Sequence, residues 1–174
     1  MSAQFWQDPT NLLSAYQNAC RSFDVDAAVS FFSADGQIEF AGEVHAGVAA
    51  LRDAHLWDRG AQNYVAFIDL TLVEDIVYCT FVNQHELHRV LGVDEIRSPA
   101  QITIHAGQIT SLRILEPEAE SRQMLREKAA SFLAWVRVHQ PEAWQRTAVL
   151  DEVGGRTLYA LAHAWKAATF EETK

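Results

Sequence analysis

Four polar side chains fall where apolar residues recur, and together they could do acid–base chemistry. Tyr16 lies among Leu12, Leu13, Ala19, Cys20 and Phe23, which repeat at helical spacing. His55 follows Leu51 by one turn of another helical stretch. Asn83 and His85 belong to the alternating set Val77, Cys79, Phe81, Asn83, His85 and Leu87. A tyrosine hydroxyl and an amide could hold a developing oxyanion, while His55 or His85, titrating near neutrality, moves the proton. Asn83, Tyr64, Phe40, Phe81 and Trp57 are the candidate ligand contacts. Each of these residues also reads as packed core, rim or surface, and Trp57 as a lid or dimer residue.

Other chemistries find less support. His85 and His88 flank Glu86, but three residues apart on a strand they face opposite sides, so no metal site is expected. No cofactor is implied: Gly154-Gly155 precedes a helix without the strand and remaining glycines of a phosphate loop. The two cysteines, Cys20 and Cys79, sit in apolar patterns without an adjacent base and read as buried free thiols. Asp35 reads as a turn residue and Asp69 as facing away from a pocket, while Glu116 could reach the rim and couple with His85.

The elements that would position these groups follow from pattern. Asp8-Pro9 opens a helix, Asp24 caps a second that carries Phe31 and Phe32, and Asp35-Gly36 breaks it. Gln37 to Phe40 alternates as a strand with Ile38 and Phe40 on one side, Val44-His45 returns, and Gly47 opens a third helix. Strands are expected at Tyr64 to Val73, Ile76 to Val90, Ala100 to Ile104 and Gln108 to Leu115. The second of these would span roughly 45 Å, so it must bend. On the first, Tyr64, Ala66, Ile68 and Leu70 are expected to face the pocket, with Val65 and Phe67 outward. Short turns make these strands antiparallel. Ser121 to Gln140 is an amphipathic helix stopped by Pro141, and Thr157 to Phe170 is another.

The chain of 174 residues is 49% hydrophobic, enough for one core without disulfides. No apolar run is long enough to cross a membrane, and Met1 to Thr10 lacks the basic and apolar regions of a signal peptide. With free thiols, this fits a cytoplasmic location. A formal charge of -9, with 14 scattered Lys and Arg, argues against nucleic acid. Helices and strands are segregated, which defines an α+β fold.

Leu13-Ser14-Ala15-Tyr16, the stretch Phe23 to Gly36, the helix start at Gly47 and Gly107-Gln108-Ile109 resemble, in order and spacing, the SnoaL-like branch of the nuclear transport factor 2-like superfamily. The resemblance covers roughly residues 8 to 117. It implies a cone: a strongly curved antiparallel sheet wrapped around N-terminal helices, with a hollow at its wide end toward which His55 faces. It implies residues 1–118 as the cone and 119–174 as a helical extension, like that of uncharacterised bacterial members, packed on the same domain. Members include ketosteroid isomerases, polyketide cyclases, epoxide hydrolases, dehydratases and binding proteins. The isomerase tyrosine falls on Tyr16, but its aspartate base falls on Phe40 and its second acid near Ala100. Neither replacement can move a proton, so the isomerase mechanism is not expected.

Three readings stay open. The first is a cofactor-independent acid–base enzyme (isomerase, cyclase, dehydratase or hydrolase) on a small apolar molecule. The second is a non-catalytic small-ligand-binding domain. The third is a structural protein whose hollow is filled by its own side chains. A homodimer through the outer sheet face is implied by the resemblance and by an outward apolar set of Val65, Phe67, Val73, Tyr78 and Val82. The helices carrying Phe132, Trp135, Trp144 and Trp165 are the competing cover for that face.

Overall fold

Asp8 starts the first helix as its type demands: the Thr10 N–H donates to its carboxylate at 2.8 Å, and Pro9 takes the first helical position. A computed structural model describes residues 8–171 of the chain. Helices α1 (Pro9–Arg21) and α2 (Val25–Ser30) lead into β1 (Phe32–Phe40) and β2 (Glu43–Ala46), then α3 (Gly47–Ala61). Strands β3 (Tyr64–Val73) and β4 (Ile76–Gln84) precede the short α4 (Glu86–Leu91). After β5 (Ile96–His105) and β6 (Gln108–Ile114) come α5 (Ala119–His139), α6 (Pro141–Arg146) and α7 (Glu152–Glu171).

The fold is α+β. Its six strands form one sheet in the order β2-β1-β6-β5-β4-β3. All neighbours are antiparallel except β1 and β6, which run parallel and so depart from the expected all-antiparallel sheet. The strong curl expected of a cone is also absent. β2 and β3 remain open edges, and bends are confined to register shifts at residues 32–37, 68–71 and 103–104. β1 begins at Phe32, ahead of the expected break at Gly36, because that glycine lets backbone pass. An added Cβ there would meet the Ile109 carbonyl oxygen at 3.1 Å.

Two expected faces change. The long strand stops at Gln84, because His85 caps α4: its Nδ1 accepts from the His88 N–H at 3.4 Å. Leu87 and Leu91 are therefore an i, i+4 pair facing other helices, and the alternation read through residues 85–87 belongs to a helix. On β3, Val65 and Phe67 face inward and Tyr64 outward. Phe67 is directly opposite Phe81 and Val65 opposite Asn83, so each pair shares a face. Both sets of β3 are apolar, so alternation alone gave no phase; α1 decides it. Gln17 accepts from the Phe67 N–H at 2.7 Å and Arg21 donates to the Val65 carbonyl at 3.4 Å.

Two apolar clusters result. The first lies between α1–α3 and the inner sheet face and includes Leu12, Leu13, Tyr16, Leu51, Phe67, Phe81 and Ile102. The second joins the end of α3, α4 and β5 to α5 and α7 through Leu87, Ile96, Phe132, Val136 and Leu161. The C-terminal helices therefore pack against α3 and α4, and Tyr64, Val73 and Tyr78 on the outer sheet face stay exposed. Gly154 and Gly155 lie inside α7 rather than breaking the chain. Phe132 is fully buried, with Trp144 and Trp165 edge-on at 5.7 and 5.9 Å. Phe132→Ala should lower the free energy of unfolding by about 3–5 kcal/mol in urea denaturation. Wild-type stability in this variant would mean that the second cluster is not part of the cooperative fold.

Candidate functional site

α1 carries Tyr16 and Cys20 one turn apart, and both point into the first cluster. α3 brings Leu51, Ala54 and His55 to the same region, and Asp58 follows His55 by three residues. At the end of α3, Gln62 takes the left-handed conformation (φ 52°) and reverses the chain. This places Asn63 back over the helix. Its N–H donates to the Asp58 carbonyl at 2.8 Å, and its side-chain amide donates to Asp58 Oδ1 at 2.7 Å. The other carboxylate oxygen stands 3.8 Å from His55 Nδ1, too long for a hydrogen bond but close enough to tighten around a ligand.

His55, Asp58 and Asn63 line a shallow cleft open to solvent and bounded by Cys20, Phe23, Asp24 and Val25 among others. Inside it there is room for about one water molecule. His55 is 95% buried on its wall, and its Nε2 has no hydrogen-bond partner. Burial holds His55 down at about 4 and pushes Asp58 up to about 7, against the pull of the Asn63 hydrogen bond. Asp58 lines the cleft, and about 27% of its side chain still meets solvent, which limits how far burial can raise it. Because burial disfavours charge on both partners, the pair shares one proton between those two values. The Tyr16 hydroxyl is raised by burial first and then by Cys20 and Asp58; the Cys20 thiol is raised by burial and Asp58, which leaves it a poor nucleophile.

The expected residues part company here. Tyr16 and His55 meet, with ring centroids 5.8 Å apart. The hollow they were expected to share is occupied by rings: Phe32 and Phe67 lie 5.5 and 5.7 Å from Tyr16, and Phe81 lies 5.6 Å from Phe67. His85 is elsewhere, stacked on His88 at 3.5 Å with Trp57 edge-on at 6.1 Å. The two histidines are therefore not on opposite faces, although among the described residues no three His, Cys, Asp or Glu are placed to hold a metal ion. Trp57 is tied to the extension by its indole N–H, which donates to the Thr147 carbonyl at 3.1 Å. Asn83 is half-buried on the inner face, outside the cleft. Tyr64 and Phe40 are 51% and 47% exposed, Tyr64 on the outer face and Phe40 at the end of β1. Glu116 pairs with Arg122 at 2.7 Å rather than with His85. Asp58 and Asn63 were missed; the signal was an aspartate three residues after a histidine on one helix.

No protein-family model matches the chain, and no curated protein is similar to it in sequence. Solved structures are similar in fold. A Sinorhizobium meliloti protein provisionally assigned as a polyketide cyclase is 21% identical, with a TM-score of 0.52 over 66% of this chain and 99% of its own. The epoxide hydrolase/cyclase-like enzyme SalBIII, of pyran ring formation in the polyether salinomycin, is 20% identical, with a TM-score of 0.56 over 68% and 96%. A Catenulispora acidiphila protein with a ketosteroid isomerase-like fold, in complex with trimethylamine, is 14% identical, with a TM-score of 0.51 over 60% and 84%. At these identities the likeness establishes the nuclear transport factor 2-like, cystatin-like fold and nothing finer.

The buried pair sets the pH response. A histidine that resists protonation leaves stability intact above about 6.5 and costs it as pH falls toward 4. His55, His85 and His88 all act in this direction. Asp58 acts oppositely, because its raised value gives stability that is full at low pH and lost as pH rises through about 7. Wild-type urea midpoints should therefore fall between pH 6.5 and 4.5, and those of Asp58→Asn should fall more steeply. Equal slopes would mean that Asp58 is not raised by burial.

Proposed function

We propose that the cleft between α1, α2 and α3 is a small-molecule site, and that His55 and Asp58 carry out cofactor-independent proton transfer in it. The observation that supports this is a 95% buried histidine lining the cleft, its Nε2 buried without a partner and its Nδ1 3.8 Å from a carboxyl that burial raises toward neutrality. A carboxyl raised toward neutrality by burial can both hold and release a proton, which is what an acid–base group needs. With Nδ1–H turned to ionised Asp58, Nε2 becomes the acceptor, and it takes a proton once binding opens the cleft far enough to bring a bound molecule or water to this buried nitrogen. Asn63 holds the carboxylate in place. The space admits only a small group, so the reaction class is proton abstraction or hydration at a compact carbonyl, epoxide or hydroxyl centre. Structural neighbours described as a provisional polyketide cyclase and an epoxide hydrolase/cyclase-like enzyme favour this class by analogy of fold only.

Tested against panels of small epoxides, hydroxy ketones and lactones, wild type should turn over at least one compound. His55→Ala and Asp58→Asn should then lose about 10²-fold or more in kcat/KM while remaining folded. Turnover that survives both substitutions would place the chemistry elsewhere. If no compound binds and native mass spectrometry of the purified protein finds no small molecule, the filled-core reading, which the ring-packed interior favours, takes precedence.

The same fold presents a second surface, for a homodimer through the outer sheet face. Tyr64, Val73 and Tyr78 are 51%, 52% and 41% exposed on the β3–β4 half of that face. Gln37, Glu39, Gln101 and Arg113 make the other half polar. Sedimentation should show Tyr78→Glu shifting a dimer to monomer; an unchanged species would exclude this face.

A further inference from the structure

The helical extension lies against the helix that carries the candidate pair, and the contact is backbone on backbone. A Cβ added at Gly155 would overlap the Trp57 carbonyl oxygen and come within 2.8 Å of the Ala61 nitrogen. One added at Gly60 would meet the Glu152 carbonyl oxygen at 2.5 Å and the Arg156 nitrogen at 2.7 Å. Two further bonds clamp the same turn: the Trp57 indole to the Thr147 carbonyl at 3.1 Å, and Arg59 Nη2 to Glu152 Oε2 at 3.0 Å. Trp57, Gly60 and Ala61 share one side of α3; Ala54, His55 and Asp58 lie about 100° round the helix. A shift of residues 57–61 must therefore move Asp58, which lies between them, and its partner Asn63 just beyond.

We propose that residues 147–156 are a positioning element, and that Gly155 and Trp57 fix where His55 and Asp58 stand in the cleft by holding the backbone of α3. The functional meaning rests on reading the cleft as the site, but the mechanical claim does not. No solvated surface could hold the helix so closely, because the glycines remove the side-chain layer that ordinarily separates packed helices by 8–10 Å.

The test is the side-chain titration of His55 and Asp58 by NMR, which requires no substrate. In Gly155→Ala the wedge should let water reach the pair, moving the His55 midpoint up and the Asp58 midpoint down, each by about half a unit or more toward its ordinary value. Phe132→Leu, which loosens the second cluster away from α3, should lower stability without moving either midpoint. Unchanged midpoints in Gly155→Ala, or equal shifts in Phe132→Leu, would overturn the proposal. Should Gly155→Ala fail to fold, Trp57→Phe combined with Glu152→Ala keeps the glycine contact and removes both bonds. A shift in the same direction supports the proposal, and native midpoints overturn it. Shifted midpoints in a protein that turns over nothing would support positioning while the functional reading of the cleft fails.

Discussion

At the crossing of α3 and α7, two helix backbones touch with no side chain between them. Gly60 on one and Gly155 on the other make this possible. Backbone contact is short-ranged and stiff, so it transmits position rather than merely excluding water. It also makes α3 common to both apolar clusters. Leu51 serves the first and Ala61 the second, so one helix is shared by both halves of the molecule.

Around that helix the protein tolerates polar atoms that the interior does not satisfy. His55 Nε2, His88 Nδ1 and Asn63 Oδ1 are buried without a partner. Each such atom costs about 1–3 kcal/mol. The hydrophobic clusters on either side offset that cost. The neutral states of the histidines follow, because burial penalises a charge there more than it penalises a dipole.

Much of this was legible in the sequence, and the exceptions have physical reasons. Asp8-Pro9 and Asp24 announce their helices because capping is local chemistry. The α+β class follows from segregated periodicities. β3 resisted because Tyr64, Ala66 and Ile68 are as apolar as Val65 and Phe67, and the phase is fixed by contacts from Gln17 and Arg21, more than forty positions away in the chain. The strand read through His85 failed because two residues of alternation also fit the first turn of a helix. Tyr16 and His55 were placed together by the resemblance. Asp58 and Asn63 were not, because their meeting depends on a left-handed Gln62, a residue with no glycine-like signature. The ring contacts of Tyr16 with Phe32 and Phe67 were equally hidden, since alternation gives the direction of an aromatic ring and not how far it reaches.

The open sheet carries a hazard that α1 answers. An edge strand offers a row of backbone donors and acceptors to any passing chain. On β3 the first stretch of that row is already occupied, by the Gln17 amide oxygen and the Arg21 guanidinium. Just beyond, Asp69 sits in a left-handed bulge (φ 56°) that interrupts the pairing register. A helix side chain thus mimics the missing neighbour strand, and a charged kink follows where the mimicry stops. The α1 contacts that settle which face of β3 is inside thus also discourage the sheet from recruiting further strands into a fibril.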